Sequence, residues 1–202
     1  PDRRDIVRGQ YEGYRSEDGV SPNSDAETYA ALRFEIDSWR WADVPFFIRT
    51  GKRMPVTATE VIATFRRPPQ RLFDETLPPR ANYLRFRLGP DRIAIALGVR
   101  TKDAGEAMVG EETELYACNS RTDEMTPYER LLGDAMRGDA TLFARQDSVE
   151  VAWDIVDRLL AGGPQAERYA SGSWGPDGAA RMVERFGGWY DPPSVPLTTP
   201  CG

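Results

Sequence analysis

The 202-residue chain is predicted to fold as an α+β domain. Three features carry that expectation. The middle of the chain holds short runs rich in β-branched and aromatic residues, the last third holds two capped amphipathic helices, and the links between the β-like runs are short enough to favour antiparallel pairing. The length allows one sizeable core or a domain plus an appendage, and no split within residues 1–202 is forced.

Residues 1–25 are polar and rich in Gly, Asp and Ser, and are expected to run extended over the surface. The stretch "ETYAALRFEIDSW" is ambiguous: Tyr29, Leu32 and Ile36 suit a helix face, whereas alternation from Thr28 to Ile36 suits a strand. Periodicity alone leans towards the helix. From Val44 onward "VPFFIR", "TEVIATF", "NYLRFRL", "RIAIALGV" and "ETELYA" read as strands, with "LGPDR" a hairpin turn between two of them. In "TPYERLLGDAMRG", Thr126 is placed to cap, Pro127 opens the helix, Glu129 closes a capping box and Gly138 stands past the end. "DSVEVAWDIVDRLLAGG" repeats the device with Asp147 and Glu150, and Val149, Ala152, Trp153, Val156 and Leu160 form an apolar stripe. A shorter helix is expected within "GPDGAARMVERFGG", followed by an irregular tail, "DPPSVPLTTPCG".

Composition removes several functions. With 26 Lys and Arg against 32 Asp and Glu, the net charge of −6 argues against a general nucleic-acid or anionic-membrane binder. There is no signal-like opening and no stretch of membrane-spanning length. The two cysteines, Cys118 and Cys201, do not suggest a disulfide framework, and a reducing cytoplasm fits best. No histidine occurs, so a Ser-His-Asp triad and a histidine metal site are excluded within this chain.

The one local concentration of cations that invites a ligand is "RTGKR", residues 49–53. Gly51 allows close backbone approach, and Lys52 is a point charge suited to a phosphate ester or sugar hydroxyl. The glycine spacing of a P-loop is missing, and taken alone the loop reads first as a solvated hairpin tip. "FRRPPQR" and "RFR" read as loop and sheet-surface charges, and Glu111, Glu112 and Glu114 as a solvated strand face. Trp39, Trp41, Trp153, Trp174 and Trp189 read as packing anchors. "SGSWGP" is a tight loop in which Ser173 has no base to make it a nucleophile.

Taken together and in order, "VRGQYEGY", "IDSWRWADVPFFIRTGKRM", "TEVIATFRRPP", "TPYERLLGDAMRGDATLFARQDSVEVAW" and "GSWGPDGA" resemble the C-terminal domain of glucose-6-phosphate dehydrogenase. The resemblance implies a large, predominantly antiparallel sheet with helices packed on one face, a dihydrodipicolinate-reductase-like C-terminal domain, and a homodimer or tetramer formed through the sheet. It also implies that "TYAALRFEIDSW" is a sheet strand. The family's activity would be oxidation of glucose 6-phosphate to 6-phosphogluconolactone with NADP, the first step of the oxidative pentose phosphate pathway in the cytoplasm.

In the family a separate N-terminal Rossmann-type domain binds NADP and carries the histidine base, and neither is found in these residues. The expectation is therefore a substrate-side and oligomerisation half that is inactive alone, with no catalytic residue, no cofactor-binding residue and no metal in this chain. Lys52 matches the family's substrate-contacting lysine. The family's second cation, five positions on, is replaced by Thr57, whose hydroxyl brings no charge, and Arg53 is the neighbouring cation available to compensate. Gly89 stands where some members have a glutamine. Ala58, Ile62 and Leu97 are apolar where some members hold a structural NADP with cations, so no such site is expected. Two other readings stand beside this one: a non-catalytic paralogue acting as an assembly or regulatory partner, and a free-standing sugar-phosphate binding module.

Overall fold

The computed structural model describes residues 5–67, 69–70, 81–89, 93–105, 110–119, 125–160 and 164–192. They belong to two compact units: Pro1–Arg53 with Arg121–Met182, and Met54–Ser120 with Val183–Gly202. The α+β class and the dominance of antiparallel pairing are as the sequence predicts. Among the described residues the strands form two four-stranded sheets, one in each unit.

In the first unit the sheet runs β3-β2-β1-β8, with β1 at Ile6–Tyr11, β2 at Tyr29–Phe34, β3 at Phe46–Gly51 and β8 at Glu167–Tyr169. The ambiguous stretch is thus a strand over Tyr29–Phe34, paired on both sides, as the resemblance implies, while its end from Glu35 to Trp39 leaves the sheet. Backbone pairing outweighs its local helical spacing. The expectation that residues 1–25 lie on the surface is corrected for Ile6–Tyr11, a largely buried strand with neighbours on both sides. Two of its polar side chains find partners inside the fold. Gln10 donates to the carbonyls of Ser24 and Ala26 at 3.0 and 2.9 Å, and Arg8 pairs with Glu27 at 2.7 Å.

One face of this sheet is built from rings. Tyr29, Tyr11 and Tyr169 pack edge-on or tilted, and Gly9 makes room between them: a Cβ there would meet Tyr169 and Tyr29 at 3.1 Å. Onto the same face come Pro176, which a Cβ on Gly9 would meet at 3.3 Å, and the start of α3, Asp177–Val183. β8 joins β1 in parallel, with Gly9 opposite Glu167 and Tyr11 opposite Tyr169.

Helix α1, Pro127–Arg137, begins with the expected capping box: Thr126 Oγ1 accepts from the Glu129 N–H, and Glu129 accepts from the Thr126 N–H. Gly138 ends it at φ 71°. Helix α2, Gln146–Leu160, starts one residue before the expected cap, so Asp147 lies in its first turn and pairs with Arg145 at 2.7 Å instead of closing a box with Glu150. The predicted stripe on α2 is not core within this chain, since Val149, Ala152 and Trp153 are exposed and Val156 is half-buried. Tryptophan as a packing anchor is likewise corrected for Trp39, which is 93% exposed, whereas Trp41 packs edge-on against Phe46 at 5.3 Å.

In the second unit β4 (Thr59–Thr64), β5 (Tyr83–Gly89), β6 (Ile93–Lys102) and β7 (Gly110–Asn119) pair antiparallel in sequence order. The "LGPDR" turn lies partly outside the described residues, and the tail after Pro192 lies wholly outside them. The inner face alternates in size. Ala94, Ala96 and Gly98 on β6 are small, which leaves space for Tyr83, Arg85 and Arg87 on β5 and for Glu114 and Tyr116 on β7. A Cβ on Gly98 would overlap the Tyr83 ring.

Arg87 pairs with Glu60 at 2.9 Å, and Arg85 pairs with Glu114 at 2.6 Å while also meeting Tyr116. Tyr83 donates towards Glu114 at 3.1 Å and is covered by Tyr190, ring to ring at 4.6 Å. The "RFR" cations and Glu114 are therefore not surface charges, contrary to expectation. They are mutually neutralised on the face of the sheet that carries Tyr83. The opposite face is apolar: Val61, Phe86, Ile95 and Ala117 form one cross-strand row, and Ala63, Leu84, Leu97 and Leu115 the next. Cys118 on β7 is disulfide-bonded, a cross-link the cysteine count did not suggest, and its partner lies outside the described residues.

Burial and the neighbouring Glu114 carboxylate push the Tyr116 phenol up from 10.0 to about 12, and the same causes raise Tyr83. The folded state therefore keeps these protons after the unfolded chain has lost them, so stability is full below pH 10.0 and falls as pH rises towards about 12. Urea midpoints measured across that window are expected to decline. Tyr116→Phe should flatten the decline, because the group that ionises is gone.

Candidate functional site

The cationic loop is delivered by β3. Phe46, Phe47 and Ile48 hold the strand in the sheet, Gly51 pairs with Tyr29, and Lys52 is the first residue past the end. Gly51 is extended there. The left-handed residue is Arg53, at φ 53°, and this turn redirects the chain.

The three cations of the loop have different surroundings. The Arg49 guanidinium lies 4.7 Å from the centroid of the Trp174 ring. Arg53 is paired with Glu17 at 2.9 Å and lies 5.8 Å from the Tyr11 ring centroid. The Tyr11 hydroxyl and then Arg53 hold the Glu17 carboxyl below its ordinary range. Lys52 is exposed, and among the described residues its ammonium has no ion-pair partner. Of the loop's charges it is the one left to meet an anion.

The backbone of Lys52 is held firmly by contrast with its side chain. Its N–H donates to the Thr28 carbonyl at 2.8 Å, and its own carbonyl accepts from the Tyr169 hydroxyl at 2.8 Å. The next carbonyl, of Arg53, accepts from the Gly172 N–H at 2.7 Å. The two loops "RTGKR" and "SGSWGP", read separately in the sequence, therefore meet. Sequence reasoning missed Thr28, Tyr169 and Trp174 as parts of this site. Only the parallel β1–β8 pairing brings Tyr169 and the following loop to it.

Thr57 is exposed and lies in the loop before β4, and Gly89 ends β5 at φ 126°. Ala58 is half-buried, Ile62 sits among the ionic residues of the inner face, and Leu97 lies on the apolar face. Among the described residues no group of three or more His, Cys, Asp or Glu is arranged to hold a metal, and no helix is long and apolar enough to cross a membrane.

The architecture and loop define a class: an α+β sheet domain that presents a lysine from a strand end and contains no histidine base. Residues 2–191 match the family described as glucose-6-phosphate dehydrogenase, C-terminal domain, and the chain belongs to that family. It is 42% identical over 204 residues to glucose-6-phosphate 1-dehydrogenase of Aggregatibacter actinomycetemcomitans, with 94% of this chain and 41% of that protein covered. Against glucose-6-phosphate 1-dehydrogenase 1 of Mycobacterium tuberculosis H37Rv the identity is 41%, covering 95% and 41%.

Among solved structures, glucose-6-phosphate 1-dehydrogenase from Mycobacterium avium superposes with a TM-score of 0.82 at 37% identity, covering 96% of this chain and 42% of that one. The chain thus spans about two-fifths of the length of the curated relatives it matches.

Gly175 adopts φ 107° with the Tyr29 ring directly against it, and that ring is fully buried. Gly175→Ala adds both backbone strain and an overlap, and is expected to destabilise the fold by about 3 kcal/mol. Thermal and urea unfolding measure it.

Proposed function

We propose that this chain is the C-terminal, substrate-side part of an NADP-dependent glucose-6-phosphate dehydrogenase. The observation that carries the reading is Lys52: a family-matched lysine with a fixed backbone and an ammonium free of ion pairs among the described residues. A solved glucose-6-phosphate dehydrogenase in complex with glucose 6-phosphate shares the fold at a TM-score of 0.78 and 31% identity. On this reading Lys52 meets the sugar phosphate, and a preceding domain supplies the base and holds NADP, which accepts the hydride. The chain alone is inactive. Arg53, occupied by Glu17, acts chiefly as a strut that shapes the loop.

Thr57 gives the second phosphate-side position a hydroxyl in place of a charge, which weakens phosphate binding. That substitution is also the feature favouring the other reading, a paralogue that assembles without turning over. No structural NADP is assigned to the second sheet: Ile62 and Leu97 offer it no charge, and Arg85 and Arg87 already face Glu114 and Glu60. Metal binding, nucleic-acid binding and membrane attachment form no part of the proposal; the cytoplasm is its proposed location on the family resemblance alone, since the Cys118 disulfide does not support a reducing compartment.

Self-association is proposed through the apolar face of the second sheet. Val61, Ile95 and Leu115 are 52%, 49% and 59% exposed, and a symmetric sheet-to-sheet contact would bury their rows against a copy of themselves.

Two measurements test these statements. In the full gene product containing this chain, Lys52→Ala is expected to raise KM for glucose 6-phosphate by about tenfold to a hundredfold, the loss of a charge-assisted hydrogen bond. Thr57→Lys should lower it. Absence of glucose 6-phosphate oxidation by the unaltered protein would favour the paralogue. Separately, light scattering is expected to show a dimer or tetramer, which Ile95→Asp should convert to monomer with far-UV circular dichroism unchanged.

A further inference from the structure

The hydroxyls of Thr28 and Tyr169 form a chain with a defined direction. Tyr169 has one proton, and its shortest bond is to the Lys52 carbonyl, at 2.8 Å. The Tyr169 hydroxyl also reaches the Thr28 carbonyl, at the longer distance of 3.2 Å; with its proton on the Lys52 carbonyl it accepts in its 3.1 Å contact with Thr28 Oγ1, and Thr28 donates. Thr28 Oγ1 in turn accepts from the Tyr11 N–H at 3.0 Å. The sequence Tyr11 N–H, Thr28 O–H, Tyr169 O–H, Lys52 C=O ties β1, the entry to β2, and β8 to the residue that follows β3. Tyr169 is 4% exposed, and burial pushes its phenol up, so the hydroxyl remains a donor at neutral pH.

We infer that Tyr169, aided by Thr28, is a positioning residue that fixes the backbone of Lys52 and so aims its ammonium at the sugar phosphate. The inference rests on the reading of Lys52 given above. A free loop would spread the ammonium over many positions, and each binding event would have to order it. Two backbone anchors at one residue remove that freedom beforehand. The side chain keeps only its own rotamers, and Tyr169 itself touches no substrate.

The test uses the full gene product. Tyr169→Phe keeps the ring packing against Tyr29 and Tyr11 and deletes only the hydroxyl. It is expected to raise KM for glucose 6-phosphate about fivefold, the usual scale for one lost hydrogen bond, with KM for NADP unchanged. Thr28→Val should behave similarly, and Thr28→Ser, which restores the hydroxyl, should recover most of the loss. In a Lys52→Ala background Tyr169→Phe should have almost no further effect, because the residue it positions is gone.

The same fivefold loss in that background, or none in the wild type, overturns the inference. Should Lys52→Ala alone leave KM unchanged, the substrate reading falls instead. Hydrogen exchange at the Lys52 amide still tests the anchor by itself: Tyr169→Phe should accelerate it, and unchanged protection overturns the positioning role whatever the kinetics show.

Discussion

The parallel pairing of β8 with β1 is the constraint on which the first unit depends. It is only three residues long, yet it seats Tyr169 among the other tyrosines, lays the 171–176 loop on the ringed face and closes the loop after β3 from the far side. Gly9 and Gly175 permit the close approach, each facing an aromatic ring where a side chain would intrude. Without that short ladder Lys52 would still follow a strand, but its carbonyl would lose the Tyr169 hydroxyl.

The second sheet separates two tasks by side-chain alternation. Its inner face collects Arg85, Arg87, Glu60 and Glu114 over a floor of Ala94, Ala96 and Gly98, so each long charged side chain finds both space and a partner. Arg85 also lies 3.9 Å from Glu60, so the two ion pairs are linked and the loss of one member is felt by the others. The outer face carries no comparable polar requirement. Its rows of Val61, Ile95 and Leu115 are exposed in the isolated chain.

Much of this was legible in the residues. Alternation marked β3 to β7, Thr126 and Glu129 marked the start of α1, and the charges around Gly51 marked the loop. What escaped was whatever depends on remote partners. β1 contains Arg8, Gly9 and Gln10, whose burial makes sense only once Glu27, Tyr169 and the 24–26 carbonyls are in place. Three-residue β8 has no periodicity to read. Trp39 and Trp153 failed in the opposite sense, because ring size signals a wish for burial without saying that this chain supplies the cover.

The separation between Gly9 and Glu167 also orders events in time. During synthesis β1, β2 and β3 can pair while the ribosome is still making the second sheet, because their contacts are local. The fourth strand, β8, emerges only after β4 to β7, α1 and α2 have been made. Contacts this distant in sequence carry the largest loop-closure entropy and form late. The loop holding Lys52 is therefore made well before the strand that makes it rigid.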